Sequence, residues 1–164
     1  MPISEYLKEV RRMVGTHRLL MPGVSAIIVN DRGDVLLHRS ADDGKWYVIG
    51  GAPDPGEPPA LAAVREAYEE TGLIVRPERL VGVYADPVVK YSNGDEVLYY
   101  AATFLCRPVG GELKIADDES LEVRYFRPDA LPDLLPTHRQ RVQHALSDDA
   151  RAYFAWDEAW LKNL

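Results

Sequence analysis

The sequence predicts an α/β fold, with a mixed β-sheet covered by helices on both faces in an α/β/α sandwich. Three observations predict it. Segments with helix and strand patterning follow one another in the order helix, strands, helix, strands, helices. Clusters of Gly, Pro, Asn and Asp punctuate them. The chain has 164 residues, 46% of them hydrophobic, which suits a single domain over 1–164 with a sizeable core.

The elements follow in order. Ser4 is placed to cap a helix over 4–15, with Gly15 as its stop and Tyr6, Leu7, Val10, Met13 and Val14 as its apolar stripe. Gly23 to Asn30 reads as a buried strand, Asn30 to Asp34 as a turn, and Val35 to Arg39 as the returning strand. Tyr47 to Pro59 is a Gly/Pro-rich loop leading into an acidic helix that Gly72 ends. Residues 74–88 and 96–109 read as strands, with Asn93-Gly94 as a hairpin signal between them. Residues 120–126 form a further strand. Pro-rich 127–136 then leads to C-terminal helices within 137–162, near Thr137 to Leu146 and Asp149 to Leu161. Along the second of these, Tyr153, Trp156 or Asp157, and Trp160 share one side. Packing on the sheet is the expectation there, a homodimer contact the alternative.

Composition excludes several classes. A net charge of -7 argues against broad nucleic-acid or anionic-membrane binding, while leaving room for small phosphorylated ligands. No run approaches 18 apolar residues, so no membrane span is expected. Charges interrupt the N-terminal segment, so it lacks a signal-peptide pattern. Cys106 is the only cysteine and ends an apolar strand, which reads as core and fits a reducing cytoplasm. The four histidines show no metal-ligand spacing. His17, His138 and His144 are expected at the surface, and His38 packed or at the surface.

The chemistry concentrates in the acidic helix. Glu66, Glu69 and Glu70 stand at i, i+3, i+4, so their carboxylates share one side and repel. A solvated charged face is the plain explanation. A divalent cation site is the other, because hard cations take oxygen ligands and would remove the repulsion. Context favours the cation. From Gly51 the sequence runs five residues to Glu57, seven more to Arg65-Glu66, and then Glu69-Glu70, Gly72 and Leu73.

This segment resembles the Nudix box, G-x5-E-x7-R-E-U-x-E-E-x-G-U, at every defined position. Seven fixed identities at roughly one in fifteen each make a chance match on the order of one in a million. The wider resemblance spans about 21–131. Ile49 stands where many members have proline before the two glycines, and Ala67 is smaller than usual.

The resemblance implies the Nudix fold and a metal-dependent hydrolase using Mg²⁺ or Mn²⁺. It implies catalytic roles for Glu66, Glu69, Glu70 and Arg65. Glu69 and Glu70 would be metal ligands, and Glu66 a ligand or the orienter of the attacking water. The Gly50 carbonyl would complete the shell. Glu57 would support the loop or contact metal through water, and Arg65 would fix a glutamate rotamer. An acid from beyond the box, Glu119 with Glu122 as runner-up, would join the metal site. Arg39 would reach substrate phosphate. The implied substrate is a small nucleoside diphosphate derivative, of the nucleotide-sugar or ADP-ribose type. Nucleoside triphosphates and dinucleoside polyphosphates are the alternatives. Pro87 and Tyr91, past the box, hint in conflicting directions. A ligand sensor on the same fold fits less well because every box acid is present. Isomerase chemistry would want a pocket cysteine.

Overall fold

A computed structural model describes residues 5–163 except 92 and 118; the Ser4 cap lies outside them. The elements are α1 (Glu5–Val14), β1 (Leu19–Ile28), β2 (Val35–Ser40), β3 (Trp46–Tyr47), β4 (Ile49–Gly51), α2 (Pro59–Thr71), β5 (Leu73–Ala85), β6 (Val89–Lys90), β7 (Glu96–Gly111), β8 (Ser120–Phe126) and α3 (Pro136–Leu146). Strands β4, β1, β7 and β5 lie side by side, with β6 also on β7. The β1–β7 pair is parallel and the others antiparallel, so the sheet is mixed. A second, antiparallel sheet has the order β3, β2, β8.

Alternation along β1 sorts the core into two faces. Val24, Ala26 and Ile28 point toward α2, where Ala62, Ala63 and Ala67 meet them together with Leu36, Ile49, Val75 and Cys106. Ile27 and Val29 point the other way, toward Val142 and Ala145 of α3, with Leu37, Val48, Val81 and Leu105. Cys106 is buried, as its apolar strand suggests.

The inner face of α2 is unusual in content. It buries three alanines, Thr71 and two glutamates, Glu66 and Glu70. At about 0.8 kcal/mol per buried CH₂, alanine methyls give little hydrophobic gain against the cost of burying two carboxylates. The helix is therefore fixed by its ends and its polar contacts. Pro58 and Pro59 open it, and Gly72 closes it in the left-handed region at φ 71, its N–H donating to the Tyr68 carbonyl at 2.8 Å.

Three expectations need correction. β1 begins at Leu19 rather than Gly23, because Leu19–Pro22 pairs with Val97–Tyr100 of β7. The Gly/Pro-rich loop contains β4, whose Gly50 and Gly51 pair with Ser25 and Val24. The helix expected over Asp149–Leu161 does not form. Tyr153 instead bridges Gly82 on the edge of β5, its N–H donating to the Val81 carbonyl at 2.8 Å and its carbonyl accepting from Val83 at 3.1 Å. A short 3-10 helix follows over Glu158–Asn163. Of the tail aromatics only Tyr153 packs inward, against Tyr84 and His144; Trp156 and Trp160 are exposed. Backbone pairing to an open sheet edge won over the helical pattern.

Candidate functional site

The box residues converge where α2 meets β4. Arg65 stands at their centre and uses all five of its N–H donors. Its Nε and Nη2 clasp both Glu57 oxygens at 3.0 and 2.9 Å. Nη2 also reaches the Ala52 carbonyl at 3.1 Å. Its Nη1 divides between Glu66 at 2.9 Å and Glu69 at 3.0 Å. Hydrogen bonds to Arg65 hold the Glu57 carboxyl below the usual range. The three glutamates of the helix do not share one environment. Glu66 and Glu70 are buried, at 1% and 6% exposure, whereas the Glu69 side chain is 52% exposed.

Burial governs the two inner acids. Desolvation pushes Glu66 up to about 7, against the pull of Arg65. Glu70 is pushed well above the carboxylate range by burial, then by the charges of Glu66 and Asp117. Its Oε1 accepts the Gly50 N–H at a long 3.4 Å. Its Oε2 is buried without a hydrogen-bond partner. Gly50 has no space for a side chain, since a Cβ there would lie 2.2 Å from the Val24 carbonyl oxygen.

The donor set fits a hard divalent cation. It consists of carboxylate oxygens on two buried acids, Glu66 paired with Arg65 and Glu70 with one oxygen left without a hydrogen-bond partner. Among the described residues no three of His, Cys, Asp and Glu converge as a metal cluster. Arg65 draws Glu57, Glu66 and Glu69 around its own guanidinium.

Glu122, the runner-up acid beyond the box, has partners on β2 and β8. Glu122 lies opposite Arg39 in the β2–β8 register, 3.7 Å from its Nε, and pairs with Arg124 at 3.3 Å. It therefore faces cations and not the box. The loop from β7 to β8 crosses the end of α2, where the Lys114 and Ala116 N–H groups donate to Thr71 and Glu70 carbonyls. Among the charges that bear on Glu70 is that of Asp117, from this loop. Asp117 also accepts the N–H groups of Glu119 and Ser120. It belongs to the same acidic run as Glu119, but spacing alone did not single it out.

Two histidines are placed inward. His38 points its Nδ1 at Ser120 Oγ, 3.1 Å away, and lies 3.8 Å from Glu70 Oε2. His138, expected at the surface, accepts the Val48 N–H on Nδ1 at 3.2 Å, and desolvation lowers it to about 3. On the far face Arg141 is buried, its Nη2 donating to both Asp86 oxygens at 2.7 and 2.6 Å and its Nη1 to Ser25 Oγ. Helical spacing marked neither residue. Tyr91 bonds its hydroxyl to that of Tyr99.

With this geometry in view, comparison with known proteins decides the family. The NUDIX domain model matches residues 19–148. The chain belongs to the NUDIX family. Its NUDIX box starts at the end of β4, passes through α2 and ends at the first residue of β5. A MutT-like protein of Streptomyces ambofaciens is 33% identical over 110 residues, covering 67% of this chain and 66% of that protein. The chain thus spans just under two thirds of that relative. An ADP-ribose pyrophosphatase of Methanocaldococcus jannaschii is 34% identical over 147 residues, covering 85% and 84%. The crystal structure of a MutT NUDIX hydrolase from Burkholderia pseudomallei superposes with a TM-score of 0.65 at 27% identity, covering 77% of this chain and 98% of that one. Among the described residues no helix is long and apolar enough to cross a membrane.

Proposed function

We propose that this NUDIX protein is a divalent-metal-dependent hydrolase that cleaves the diphosphate linkage of a nucleoside diphosphate derivative, of the ADP-ribose or nucleotide-sugar type. The observation that carries the reading is the pair of buried acids, Glu66 and Glu70, with one Glu70 oxygen on the Gly50 N–H and the other unpartnered. The similarity to an ADP-ribose pyrophosphatase across most of both chains supports the substrate class.

Glu66, Glu69, Glu70 and the Gly50 carbonyl would hold Mg²⁺ or Mn²⁺, with Glu119 as a further acid from the β7–β8 loop. When bound, the cation neutralises diphosphate oxygens and acidifies a water. The chain's own residues do the rest. Arg65 fixes the rotamers of Glu66 and Glu69 and anchors Glu57 to the loop at Ala52. Glu57 is committed to Arg65 through both oxygens, so its role is support of the loop. Glu66, the most buried of the box acids, holds or orients the attacking water. Arg39, half-exposed at the end of β2, turns its guanidinium to substrate phosphate. Water adds across the P–O–P anhydride, leaving two phosphomonoesters, which as dianions release two protons.

The test is product release from ADP-ribose, nucleotide sugars, dinucleoside polyphosphates and nucleoside triphosphates, with Mg²⁺ or Mn²⁺ and with EDTA. EDTA-sensitive cleavage of ADP-ribose or a nucleotide sugar into two monophosphates is expected. Cleavage of triphosphates alone would overturn the substrate class. Metal binding with no cleavage of any of them would favour a sensor.

A further inference from the structure

Gly50 has two tasks in the proposed site. Its N–H donates to Glu70 Oε1, and its carbonyl would complete the shell of a cation. Its strand, β4, has only three residues, paired to Val24, Ser25 and Ala26 of β1. Two residues before Gly50, at Val48, the chain leaves β3 in one sheet and enters β4 in the other. The side chains at this crossover enter opposite halves of the core: Val48 joins Val142 and Ala145, and Ile49 joins Ala62 and Ala67. Val48 is buried and belongs to neither strand register, so its N–H needs an acceptor from elsewhere.

Helix α3 supplies that acceptor. His138 Nδ1 takes the Val48 N–H at 3.2 Å. His138, Arg141, Val142 and Ala145 stand at i, i+3, i+4 and i+7, so one face of α3 carries all four. The His138 ring meets Tyr47 edge-on at 5.4 Å between centroids, and a bridge from Trp46 to Leu134 ties the segment before α3 to β3. One turn after His138, Arg141 donates Nη1 to Ser25 Oγ at 3.2 Å, and Ser25 lies opposite Gly50 in the β1–β4 pair. Helix α3 thus grips both strands that hold Gly50.

We propose that His138 is a positioning residue for Gly50: its Nδ1 holds the Val48 N–H and so fixes where β4 presents the Gly50 N–H to Glu70 and the Gly50 carbonyl to a cation. The bond uses the lone pair of Nδ1, so the ring carries its hydrogen on Nε2. The inference rests on the metal reading of the box. It assigns His138 no contact with substrate or cation and no proton transfer.

The test is Mn²⁺ affinity of the metal-free protein, read by the loss of the free-ion EPR signal. His138→Leu and His138→Phe both remove the acceptor, and Phe keeps a ring beside Tyr47. Each should weaken binding by about 10- to 100-fold. His138→Asn, whose Oδ1 falls near the Nδ1 position, should stay within about threefold of wild type. Substrate KM should stay near wild type in all three, with the loss confined to metal affinity and kcat. Gly82→Ala, which loosens the fold at the Tyr153 contact, should bind Mn²⁺ like wild type. Unfolding in EDTA checks that each variant folds. If a folded His138→Leu or His138→Phe binds within twofold of wild type while Glu70→Gln is weakened, His138 does not position Gly50. Equal weakening in Gly82→Ala also overturns the proposal, because the loss then follows stability alone. If neither acceptor-free variant folds, the ¹⁵N spectrum of wild type decides. An unprotonated Nδ1 with a slowly exchanging Val48 amide supports the proposal, and a protonated Nδ1 overturns it. If Glu70→Gln also binds like wild type, the metal reading fails and the proposal with it.

Discussion

Arg65 shows most clearly what single residues do in this protein. A planar guanidinium with five fixed donors meets three carboxylates and a carbonyl; a lysine has three donors on one point. Arg65→Lys should lower kcat by about 10- to 100-fold and destabilise the fold by about 1–3 kcal/mol, read by steady-state kinetics and denaturant unfolding. Glu66 gives a pH prediction. Its folded value is raised to about 7 from 4.5, so burial favours the protonated form. The fold is stabilised by that proton at low pH, and the stabilisation is lost as pH rises from about 4.5 through 7. Metal-free Glu66→Gln, which imitates the protonated acid, should therefore melt above wild type at pH 8 by about 1–3 kcal/mol, or roughly 3–10 °C. The difference should close by pH 5. At this scale the sequence disclosed the identities of the box residues, because their spacing is fixed. It did not disclose that Glu69 faces solvent while Glu66 and Glu70 are buried, since helical spacing gives direction only to within a turn. Asp117 and His138 were missed because their roles depend on where a loop and a distant helix land.

Between elements, backbone contact decides more than side-chain pattern. The tail beyond α3 carries an apolar spacing that suits a helix, yet it lies along β5 as an extended bridge. This requires a glycine at 82. A Cβ there would meet the Tyr153 carbonyl oxygen at 2.6 Å. Gly82→Ala should cost about 1–3 kcal/mol, seen as a lower unfolding midpoint. Gly50→Ala should be more severe and abolish turnover, because the backbone of β4 would have to leave β1 and with it Glu70. The long strands, α2 and α3 were readable from periodicity. The two- and three-residue strands β3 and β4 were not, since so few residues carry no period.

In the whole molecule, stability and function meet at α2. Helix α2 is held against the sheet with little apolar area and two buried acids, so the metal-free fold carries an electrostatic load that a bound cation would remove. Mn²⁺ at about 100 times its dissociation constant should stabilise the protein by about 2.7 kcal/mol. EDTA should reverse the shift, as thermal unfolding will show. The order of helices and strands made the mixed sheet legible. The separate β3-β2-β8 sheet was not legible, because strand pairing between segments far apart in sequence leaves no local mark.

The most direct measurement of the central claim is turnover of Glu70→Gln on the substrate that wild type cleaves, at saturating Mn²⁺, with folding verified in parallel. The account predicts a fall in kcat of about a thousandfold or more, since an uncharged amide cannot serve as the oriented anionic ligand. A folded Glu70→Gln that turns over within tenfold of wild type would contradict it.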